Sequence, residues 1–411
     1  MEANIERIKN DIDIVTSFNR TPGNGCTRFS YSEEDRKARE YLINEMKKLG
    51  LEVKIDGVGN IRGKYNPMNS NYPSVMMGSH IDTVLNGGKF DGLVGVVSAL
   101  EVIRQVKDNQ ISIQKPLEII IWAEEEGSNS GITMLGSKAM TGKVKAEDLK
   151  EIKSFTGESM YDLMKEFGLD VDAIDSQVFR KDEVEYLIEL HVEQGGILDS
   201  EGLSVGIVKA IAGMKTYKVT LEGVANHAGS TPMYLRNDAL VGASHIITYM
   251  EDAAKNKGLG TTVATVGKII CEPNVPNIIP GKVVFYVDIR DVEEEGKDII
   301  SKELIEKVKE NANLYNLKYD IELIGESPVV KLSEKVIDTI EKIAIERSYP
   351  YKVMNSGAVH DSGMFADLTN VGMIFVPSIG GRSHCPEELT RFEDIKLGCD
   401  LLLETVIRLA Q

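Results

Sequence analysis

The stretch "PSVMMGSHIDTVLNGGKFDGLVGVVSALEVIRQV" (residues 73–106) contains the pattern that decides the fold. An apolar run that ends at His80 predicts a buried strand, and the residues after Asp91 are apolar at helical spacing. A second apolar run, "PLEIIIWAEEEG" (residues 116–127), follows this helix. A strand, a helix and a second strand in this order predict two parallel strands joined by a crossover helix. The expected fold class is therefore α/β, with a wound sheet.

Two later segments also combine an apolar run with a polar, glycine-bearing corner, namely "YLIELHVEQG" and "VGMIFVPSIGGRSH". The region between them has the order strand, helix, strand, strand, helix, strand. This is the split βαβ pattern of a ferredoxin-like α+β domain, a small antiparallel sheet with helices on one face. A chain of 411 residues exceeds one ordinary core. We therefore expect one discontinuous domain at 1–211 and 328–411, with a second domain inserted at 212–327.

Charge and composition exclude several classes of protein. The chain has 64 acidic and 47 basic residues and a formal net charge of -17, which disfavours nucleic acid as a partner. No apolar run approaches the roughly 20 residues of a membrane span, and the amino-terminal segment lacks the apolar region of a secretory signal. The cysteines are widely spaced without a CxxC pair, which argues against a disulfide framework or a thiolate zinc site. We expect a cytoplasmic globular protein that binds neither nucleic acid nor membrane.

Histidines and carboxylates lie at the ends of the four apolar runs. Ligands of wound parallel sheets bind where the carboxyl ends of several strands converge. Imidazole nitrogens combined with carboxylate oxygens suit zinc, manganese, cobalt or nickel rather than calcium. A shared carboxylate can also bridge two ions roughly 3.5 to 4 Å apart. The sequence therefore predicts a metal site built from His80, Asp91, the acidic triplet at 124–126, His191 and His384.

Each part of this pattern has a simpler explanation when it is taken alone. A single histidine at a strand end is more often a hydrogen-bonded core residue, and an acidic run usually faces solvent. The combination favours a metal site, because three of only six histidines fall at the ends of predicted strands. Asp82, two residues after His80, can accept the proton of the second His80 nitrogen and so fix the tautomer of a metal ligand.

The chain also carries, in order from near residue 25 to near residue 388, motifs that resemble one known family. These are the N-carbamoyl-L-amino acid hydrolases, β-ureidopropionases and allantoate amidohydrolases, within the dinuclear-zinc aminoacylase and carboxypeptidase superfamily. The motifs that carry the resemblance are "GSHIDTVLNGGKFDGLVGV", "AEEEGS", "ELHVEQG", "HAGSTPMYLRNDA", "PNVPNIIPG", "DIRD", "SGAVHDS" and "PSIGGRSHCPEE".

The resemblance implies a catalytic domain with a mixed sheet and two divalent metal ions per subunit. The ions are zinc in the family, with manganese, cobalt or nickel as alternatives. Glu125 would be the general base and acid, and Asp82 belongs to the expected catalytic group. Asp91 would bridge the two ions, one held with His80 and His191 and the other with Glu126 and His384.

The inserted domain would act as a lid and dimerisation domain. His227 resembles the histidine that stabilises the transition state, typically in the active site of the partner subunit, which implies a homodimer. Without its motif, a histidine in a surface turn would be the simpler explanation. Asn277 and Arg290 resemble the residues that hold the substrate amide and carboxylate, and an arginine fork matches a carboxylate. Further implied substrate contacts are Gln194, Gly357, Ala358 and His360, whereas His245 matches no motif and is expected to be structural.

The implied reaction removes the carbamoyl (ureido) group of an N-carbamoyl-L-amino acid, giving the amino acid, carbon dioxide and ammonia. An allantoate or ureidoglycolate amidohydrolase, an aminoacylase and a dipeptidase are alternatives that would use the same metal pair. A binding protein on this scaffold would not need Glu125. Three positions depart from the family pattern, Asn129 in place of arginine, Ser130 in place of an aromatic residue and Val359 in place of glycine. These departures bear on substrate preference.

Overall fold

The computed structural model describes residues 2–411, which form two compact units. The first unit comprises the residues up to 209 together with 331–356 and 360–411. The second comprises 210–330 together with 357–359. The short segment 357–359 was expected in the first domain, and its placement in the second unit corrects that expectation. The reason is local, since the Arg290 guanidinium donates a hydrogen bond to the carbonyl oxygen of Gly357 at 3.0 Å.

Strands and helices alternate along most of the chain. The strands are β1 (Glu52–Ile55), β2 (Ile61–Tyr65), β3 (Ser74–His80), β4 (Leu117–Trp122), β5 (Val184–Val192), β6 (Val205–Ile211), β7 (Gly213–Glu222), β8 (Asn226–His227), β9 (Val263–Glu272), β10 (Ile278–Ile279), β11 (Lys282–Asp291), β12 (Lys318–Ser327), β13 (Val330–Lys331), β14 (Tyr351–Ser356) and β15 (Asn370–Val376). The helices are α1 (Ile5–Ser17), α2 (Glu33–Lys48), α3 (Leu93–Asp108), α4 (Leu135–Met140), α5 (Asp148–Glu151), α6 (Met160–Phe167), α7 (Ile197–Glu201), α8 (Ala239–Lys257), α9 (Glu294–Leu314), α10 (Glu334–Glu346) and α11 (Phe392–Ala410).

The first unit is built on a mixed sheet with the strand order β1-β2-β4-β3-β5-β15-β6-β13, to which β14 adds beside β6. The central pairs β4–β3, β3–β5 and β5–β15 are parallel, whereas the pairs β1–β2, β2–β4 and β15–β6 are antiparallel. Every residue of β3 and β4 is buried, as expected for parallel strands covered on both faces. The mixed α/β prediction is confirmed for this unit.

The register of the central strands brings the predicted metal ligands to one edge of the sheet. His80, the last residue of β3, pairs with Trp122, the last residue of β4. His191 in β5 pairs with Phe375 near the end of β15. The loops that leave these strands therefore start side by side, at their carboxyl ends.

The second unit contains a four-stranded antiparallel sheet with the order β12-β7-β11-β9, together with the helices α8 and α9. Burial alternates strictly along β11, so one face of the sheet packs on the helices. A separate two-stranded ribbon joins β8 to β10. The longer elements follow the order strand, helix, strand, strand, helix, strand, and the sequence analysis did not foresee the ribbon. Within residues 2–411, none of the helices has the length and apolar character needed to cross a membrane.

Candidate metal centre

The five predicted metal ligands come together in the first unit as two groups that share one residue. In each group the possible ligand atoms all lie within 4.8 Å of one another. Asp91 belongs to both groups, in the position that a bridging carboxylate would occupy. The groups are His80, Asp91 and His191, and Asp91, Glu126 and His384.

The two buried histidines are oriented by backbone carbonyl groups. The Nδ1 atom of His80 lies 3.0 Å from the carbonyl oxygen of Asp82, and Nδ1 of His191 lies 2.9 Å from that of Val192. A carbonyl oxygen only accepts, so each neutral ring carries its proton on Nδ1 and leaves the Nε2 lone pair free. The two Nε2 atoms face each other at 3.5 Å. Two lone pairs this close repel, and a cation between them would remove the repulsion.

Asp82 does not play the part that the sequence suggested. Its Oδ1 atom lies 3.6 Å from Nδ1 of His80, while the carbonyl oxygen of Asp82 takes that proton. The carboxylate instead accepts hydrogen bonds from the backbone N–H groups of Glu125 at 3.2 Å and Glu126 at 3.0 Å. The reason is that β3 and β4 end side by side, which places Asp82 against the turn after β4. Asp82 therefore positions the acidic turn.

Asp91 has one oxygen that points at the two histidines without a hydrogen-bond partner. Oδ1 lies 3.3 Å from Nε2 of His191 and 3.9 Å from Nε2 of His80. Among residues 2–411 this buried oxygen accepts no hydrogen bond. Burial tends to raise the pKa of Asp91, but the hydrogen bond from His384 and the neighbouring histidines lower it. An anionic, unpartnered oxygen beside two nitrogen lone pairs fits a divalent metal ion.

The second group carries an excess of negative charge. Nε2 of His384 lies 3.1 Å from Oδ2 of Asp91 and 3.4 Å from Oε2 of Glu126. Burial and the nearby Asp91 raise the pKa of Glu126 to about 8, and the hydrogen bond to Asp91 raises the pKa of His384 to about 9. Such shifts show carboxylates crowded together without sufficient positive charge, which a divalent ion would supply.

The three consecutive glutamates at the end of β4 have three different environments. Glu124 is buried, adopts a left-handed backbone (φ 55°) and accepts N–H bonds from Asn129 and Ser130 at 2.8 and 2.7 Å. Glu126 faces His384. Glu125 lies between them, with Oε2 3.8 Å from Nε2 of His80. Burial raises the pKa of Glu125 well above its usual range, as do the neighbouring carboxylates.

The side chains of the two departures next to this turn, Asn129 and Ser130, form hydrogen bonds within the protein, and the Ser130 hydroxyl donates to the carbonyl oxygen of Ile132 at 3.1 Å. Besides the backbone bonds to Glu124, the Asn129 side chain donates to the carbonyl oxygen of Ser30 at 2.9 Å. The backbone of Glu124 donates in turn to the Ser30 hydroxyl at 2.8 Å. This network was not visible in the sequence, because Ser30 lies far away along the chain.

Two of the predicted substrate contacts also lie in this centre. Gln194 has a left-handed backbone (φ 57°), and its Nε2 donates to Oδ2 of Asp91 at 2.9 Å. His360 is buried, with its ring centroid 4.6 Å from that of His191. Its Nε2 atom lies 2.9 Å from the Ser356 hydroxyl.

The remaining predicted substrate contacts belong to the second unit. His227 lies in β8 and Asn277 directly precedes β10, and the backbone N–H of Ala228 donates to the carbonyl oxygen of Asn277 at 3.0 Å. Arg290 contacts Asp288 at 2.8 Å as well as Gly357, which precedes Ala358. His245 stacks on the ring of Tyr315 with centroids 5.6 Å apart, in agreement with a structural role.

Two residues that the sequence reasoning left without a role hold the loops of the metal centre. Ser383 and Glu388 lie in the quoted motif "SHCPEE" and hydrogen-bond to each other at 2.7 Å. The sequence did offer one signal for such a role, namely a serine and a second glutamate in the same short motif as His384. Their contacts reach the loop of Asp91, which no spacing rule predicts.

Comparisons with known proteins agree with this geometry. Residues 76–408 match the model of peptidase family M20/M25/M40. The chain is 37% identical over 405 residues to an N-carbamoyl-L-amino-acid amidohydrolase of Pseudomonas sp. (strain NS671), covering 98% of each chain. It is 34% identical to the allantoate amidohydrolase of Escherichia coli (strain K12), again over 98% of each chain. The crystal structure of a hydantoinase/carbamoylase family amidase from Burkholderia multivorans is similar at a TM-score of 0.93 and 30% identity, over 100% of this chain and 98% of that one.

Proposed function

Because the chain belongs to peptidase family M20/M25/M40, as an amidohydrolase of its carbamoylase and allantoate amidohydrolase branch, we propose that it hydrolyses N-carbamoyl-L-amino acids. The observation that carries the metal chemistry of this proposal is Asp91, shared by two groups of ligands with an unpartnered buried oxygen. The carbamoyl substrate is supported by three relatives of that name at 36 to 37% identity.

The metal ions would be held by the two groups around Asp91. Divalent ions there would act as Lewis acids and lower the pKa of a nearby water. The ligands are oriented for metal binding, because the Nδ1 hydrogen bonds of His80 and His191 direct both Nε2 lone pairs toward the same point. The identity of the ions, with zinc as the first candidate, belongs to this proposal.

Glu125 is proposed as the general base and acid. Its backbone is fixed from both sides, because its N–H donates to Asp82 and its carbonyl oxygen accepts from the N–H of Met134 at 2.7 Å. The carboxylate would take a proton from the attacking water and later deliver it to the leaving amine nitrogen. The carbon–oxygen bond forms first and gives a tetrahedral intermediate, whose collapse breaks the bond between the carbonyl carbon and that nitrogen. The products are the amino acid and a carbamate, which decomposes to carbon dioxide and ammonia.

His227 is proposed to stabilise the oxyanion of the tetrahedral intermediate. Its Nδ1 atom accepts backbone hydrogen bonds from Gly229 at 3.0 Å and Ser230 at 3.1 Å. Because Nδ1 accepts, the proton of the neutral ring lies on Nε2, where it can be donated. The side chain is exposed within its own unit, so this N–H group is available to a ligand.

Substrate binding is proposed for Asn277, Arg290, Gln194, His360 and the backbone at 357–358. Arg290 is held on one side by Asp288, which leaves part of its planar fork for a carboxylate. Every N-carbamoyl amino acid and allantoate carries a carboxylate besides the ureido group. These contacts therefore explain recognition of the class and do not distinguish its members.

A homodimer through the second unit completes the proposal. Among the described residues, β9 pairs on one side only, with β11. Ile269 and Ile270 on this edge strand are 49% and 42% exposed. An unpaired edge with apolar side chains suits pairing with a second copy.

Allantoate is the second candidate substrate, because relatives named allantoate amidohydrolase are 34 and 35% identical, nearly as similar as the carbamoyl relatives. Ureidoglycolate hydrolases from Oryza sativa and Arabidopsis thaliana are 35 and 36% identical. These small differences in identity cannot rank substrates, so the choice rests on an assay.

The test is ammonia release by protein stripped with a chelator and then reloaded with manganese, cobalt or zinc. The panel contains N-carbamoyl-L-amino acids, N-carbamoyl-β-alanine, allantoate, ureidoglycolate and, with amino-acid detection, one dipeptide. Metal-dependent turnover of a carbamoyl amino acid supports the proposal. Turnover confined to allantoate or ureidoglycolate would replace the substrate, and turnover of the dipeptide alone would overturn the amidohydrolase assignment in favour of a peptidase.

A further inference from the structure

The loop that presents Asp91 and the loop that presents His384 are joined by one buried carboxylate. Glu388 is 5% exposed, and both of its oxygens are in use. Oε1 accepts the backbone N–H groups of Phe90 at 2.9 Å and Asp91 at 3.1 Å. Oε2 accepts the hydroxyl of Ser383 at 2.7 Å. A single side chain thus binds the backbone of the Asp91 loop and the Ser383 side chain, one residue before His384.

The Ser383 hydroxyl has two possible acceptors but only one proton. It lies 2.7 Å from Oε2 of Glu388 and 3.1 Å from Oδ2 of Asp91. Both acceptors are carboxylate oxygens, and the shorter distance assigns the proton to Glu388. Oδ2 of Asp91, which already accepts the Gln194 side-chain N–H at 2.9 Å and lies 3.1 Å from Nε2 of His384, is thereby spared a further donor.

The chain near Asp91 is shaped to admit this carboxylate. A Cβ atom at Gly88 would overlap the carboxyl group of Glu388. On the other side, His384 follows Ser383 directly and has a left-handed backbone (φ 56°), a conformation that needs support from its surroundings. The bond between Ser383 and Glu388 provides such support one residue before the ligand.

We propose that Glu388 is a positioning residue that ties the loops of Asp91 and His384, so that both side chains meet the same metal ion. This inference rests on the proposed function, because it presupposes a metal at the group formed by Asp91, Glu126 and His384. The Glu388 side chain does not belong to either group of metal ligands. Its effect passes through the backbone of Asp91 and the hydroxyl of Ser383.

The experiment titrates manganese or zinc into chelator-stripped protein by calorimetry and compares wild type with Glu388→Gln. The amide can still accept the N–H bonds of Phe90 and Asp91, but its NH₂ group would donate to Ser383 and turn the hydroxyl toward Asp91. We expect one of two ions to bind about 10- to 100-fold more weakly, the range seen when indirect supports of metal ligands are removed. The ion on the side of His80 and His191 should keep its affinity.

Two further variants complete the design. Glu387→Gln removes the neighbouring carboxylate, which is 57% exposed and pairs with Arg382, and should leave both affinities unchanged. Ser383→Ala removes the hydroxyl while Glu388 keeps its backbone bonds, so a smaller loss at the same ion is expected. If Glu388→Gln does not fold, Ser383→Ala alone tests the positioning role.

The outcomes separate this inference from the function on which it rests. Wild-type protein that binds fewer than two ions would overturn both. Two ions in wild type, with unchanged affinities in Glu388→Gln and Ser383→Ala, would overturn the positioning role alone. Equal weakening of both ions in Glu388→Gln would also overturn it, because a general structural defect would explain that result.

Discussion

The acidic triplet after β4 shows how neighbouring residues of one type acquire separate tasks. Glu124 points into the protein and accepts two backbone N–H groups of the following loop. Glu126 faces His384 at 3.4 Å. Glu125 is left with a carboxylate near His80 and no direct place in either ligand group. The division follows from the backbone, since Glu124 is left-handed and turns the chain between the three side chains.

Glu125→Gln tests the proposed division between base and ligand. The amide has the same shape but cannot accept a proton at neutral pH, so we expect both metal ions to bind while kcat falls by at least ~100-fold. Metal content by atomic spectroscopy and kcat on the best substrate of the panel are the measurements. Glu126→Gln is the matched comparison, and it should lose metal as well as turnover. Normal turnover in Glu125→Gln would rule out the base assignment.

Gly92 illustrates a requirement set by close approach. It has φ 63°, and a Cβ atom there would lie 2.5 Å from Nε2 of His80. Gly92→Ala should therefore displace His80 and weaken metal binding by about 10-fold or more. Gly202→Ala is the control, because Gly202 has φ 69° but its Cβ would meet no described atom within 4 Å.

Gly202 (φ 69°, ψ 31°) lies in the left-handed region, where alanine costs about 1–2 kcal/mol. Gly92 (φ 63°, ψ -48°) lies outside that region, so Gly92→Ala is expected to lose more stability than the control. Calorimetric metal titration and thermal unfolding of the stripped proteins separate the two effects. A loss of stability in both variants with a loss of metal affinity only in Gly92→Ala is expected. Equal metal affinities in the two variants would show that the approach to His80 does not matter.

At the scale of elements, sequence patterns predicted the four central strands of the nine-stranded sheet, but not its outer strands or the contacts between its loops. The four apolar runs and the helix after Asp91 predicted β3, β4, β5, β15 and α3, because burial on both faces leaves an unmistakable apolar signal. The same pattern predicted which strand ends carry the ligands. It could not predict Asp82 beneath the acidic turn or Glu388 between two loops, since such contacts depend on side chains from distant segments meeting in three dimensions.

Asn60 is a further connection of this kind, and it holds the end of β4. Its Oδ1 accepts the N–H of Ala123 at 3.0 Å, and its Nδ2 donates to the carbonyl oxygen of Gly136 at 3.0 Å. Asn60→Ala would leave both buried groups unpaired, at a cost of about 1–3 kcal/mol each. A clearly lower thermal midpoint is expected, together with reduced kcat, because the turn of Glu125 starts at Ala123.

Asn109→Ala is the control for Asn60. Asn109 also donates from its side chain to a carbonyl oxygen, that of Gln105 at 2.9 Å, but it is exposed at the end of α3. Water can replace that bond, so the midpoint should change little. If Asn60→Ala has the same thermal midpoint as Asn109→Ala and an unchanged kcat, the hydrogen bonds of Asn60 at the end of β4 are not needed.

At the scale of the whole molecule, the predicted site residues are divided between two units of the chain. The metal ligands, Glu125, Gln194 and His360 belong to the first unit, and His227, Asn277, Arg290, Gly357 and Ala358 belong to the second. The sequence divided the metal ligands from His227, Asn277 and Arg290 as the two units do, but it placed Gly357 and Ala358 in the first domain. The resemblance of the His227 motif implies that His227 serves the metal centre of the partner subunit, and the question for experiment is whether it acts there or within its own chain.

A mixed dimer answers this question. Glu125→Gln and His227→Ala homodimers should each be nearly inactive, because one lacks the base and the other lacks the oxyanion donor. If His227 acts on the partner's metal centre, a mixed dimer contains one complete site, with Glu125 from one subunit and His227 from the other. Random exchange of equal amounts should then restore about one quarter of wild-type activity, since half of the dimers are mixed and each has one working site.

The result depends only on which subunit supplies His227. If His227 acts within its own subunit, neither site of the mixed dimer is complete, and the mixture should stay as inactive as its components. Subunits carrying two different affinity tags allow the mixed dimer to be purified, so that failure to exchange is recognised before the assay. Restored activity in the purified mixed dimer would establish that the dimer is the catalytic unit, whereas a purified mixed dimer without activity would place each complete site within one chain.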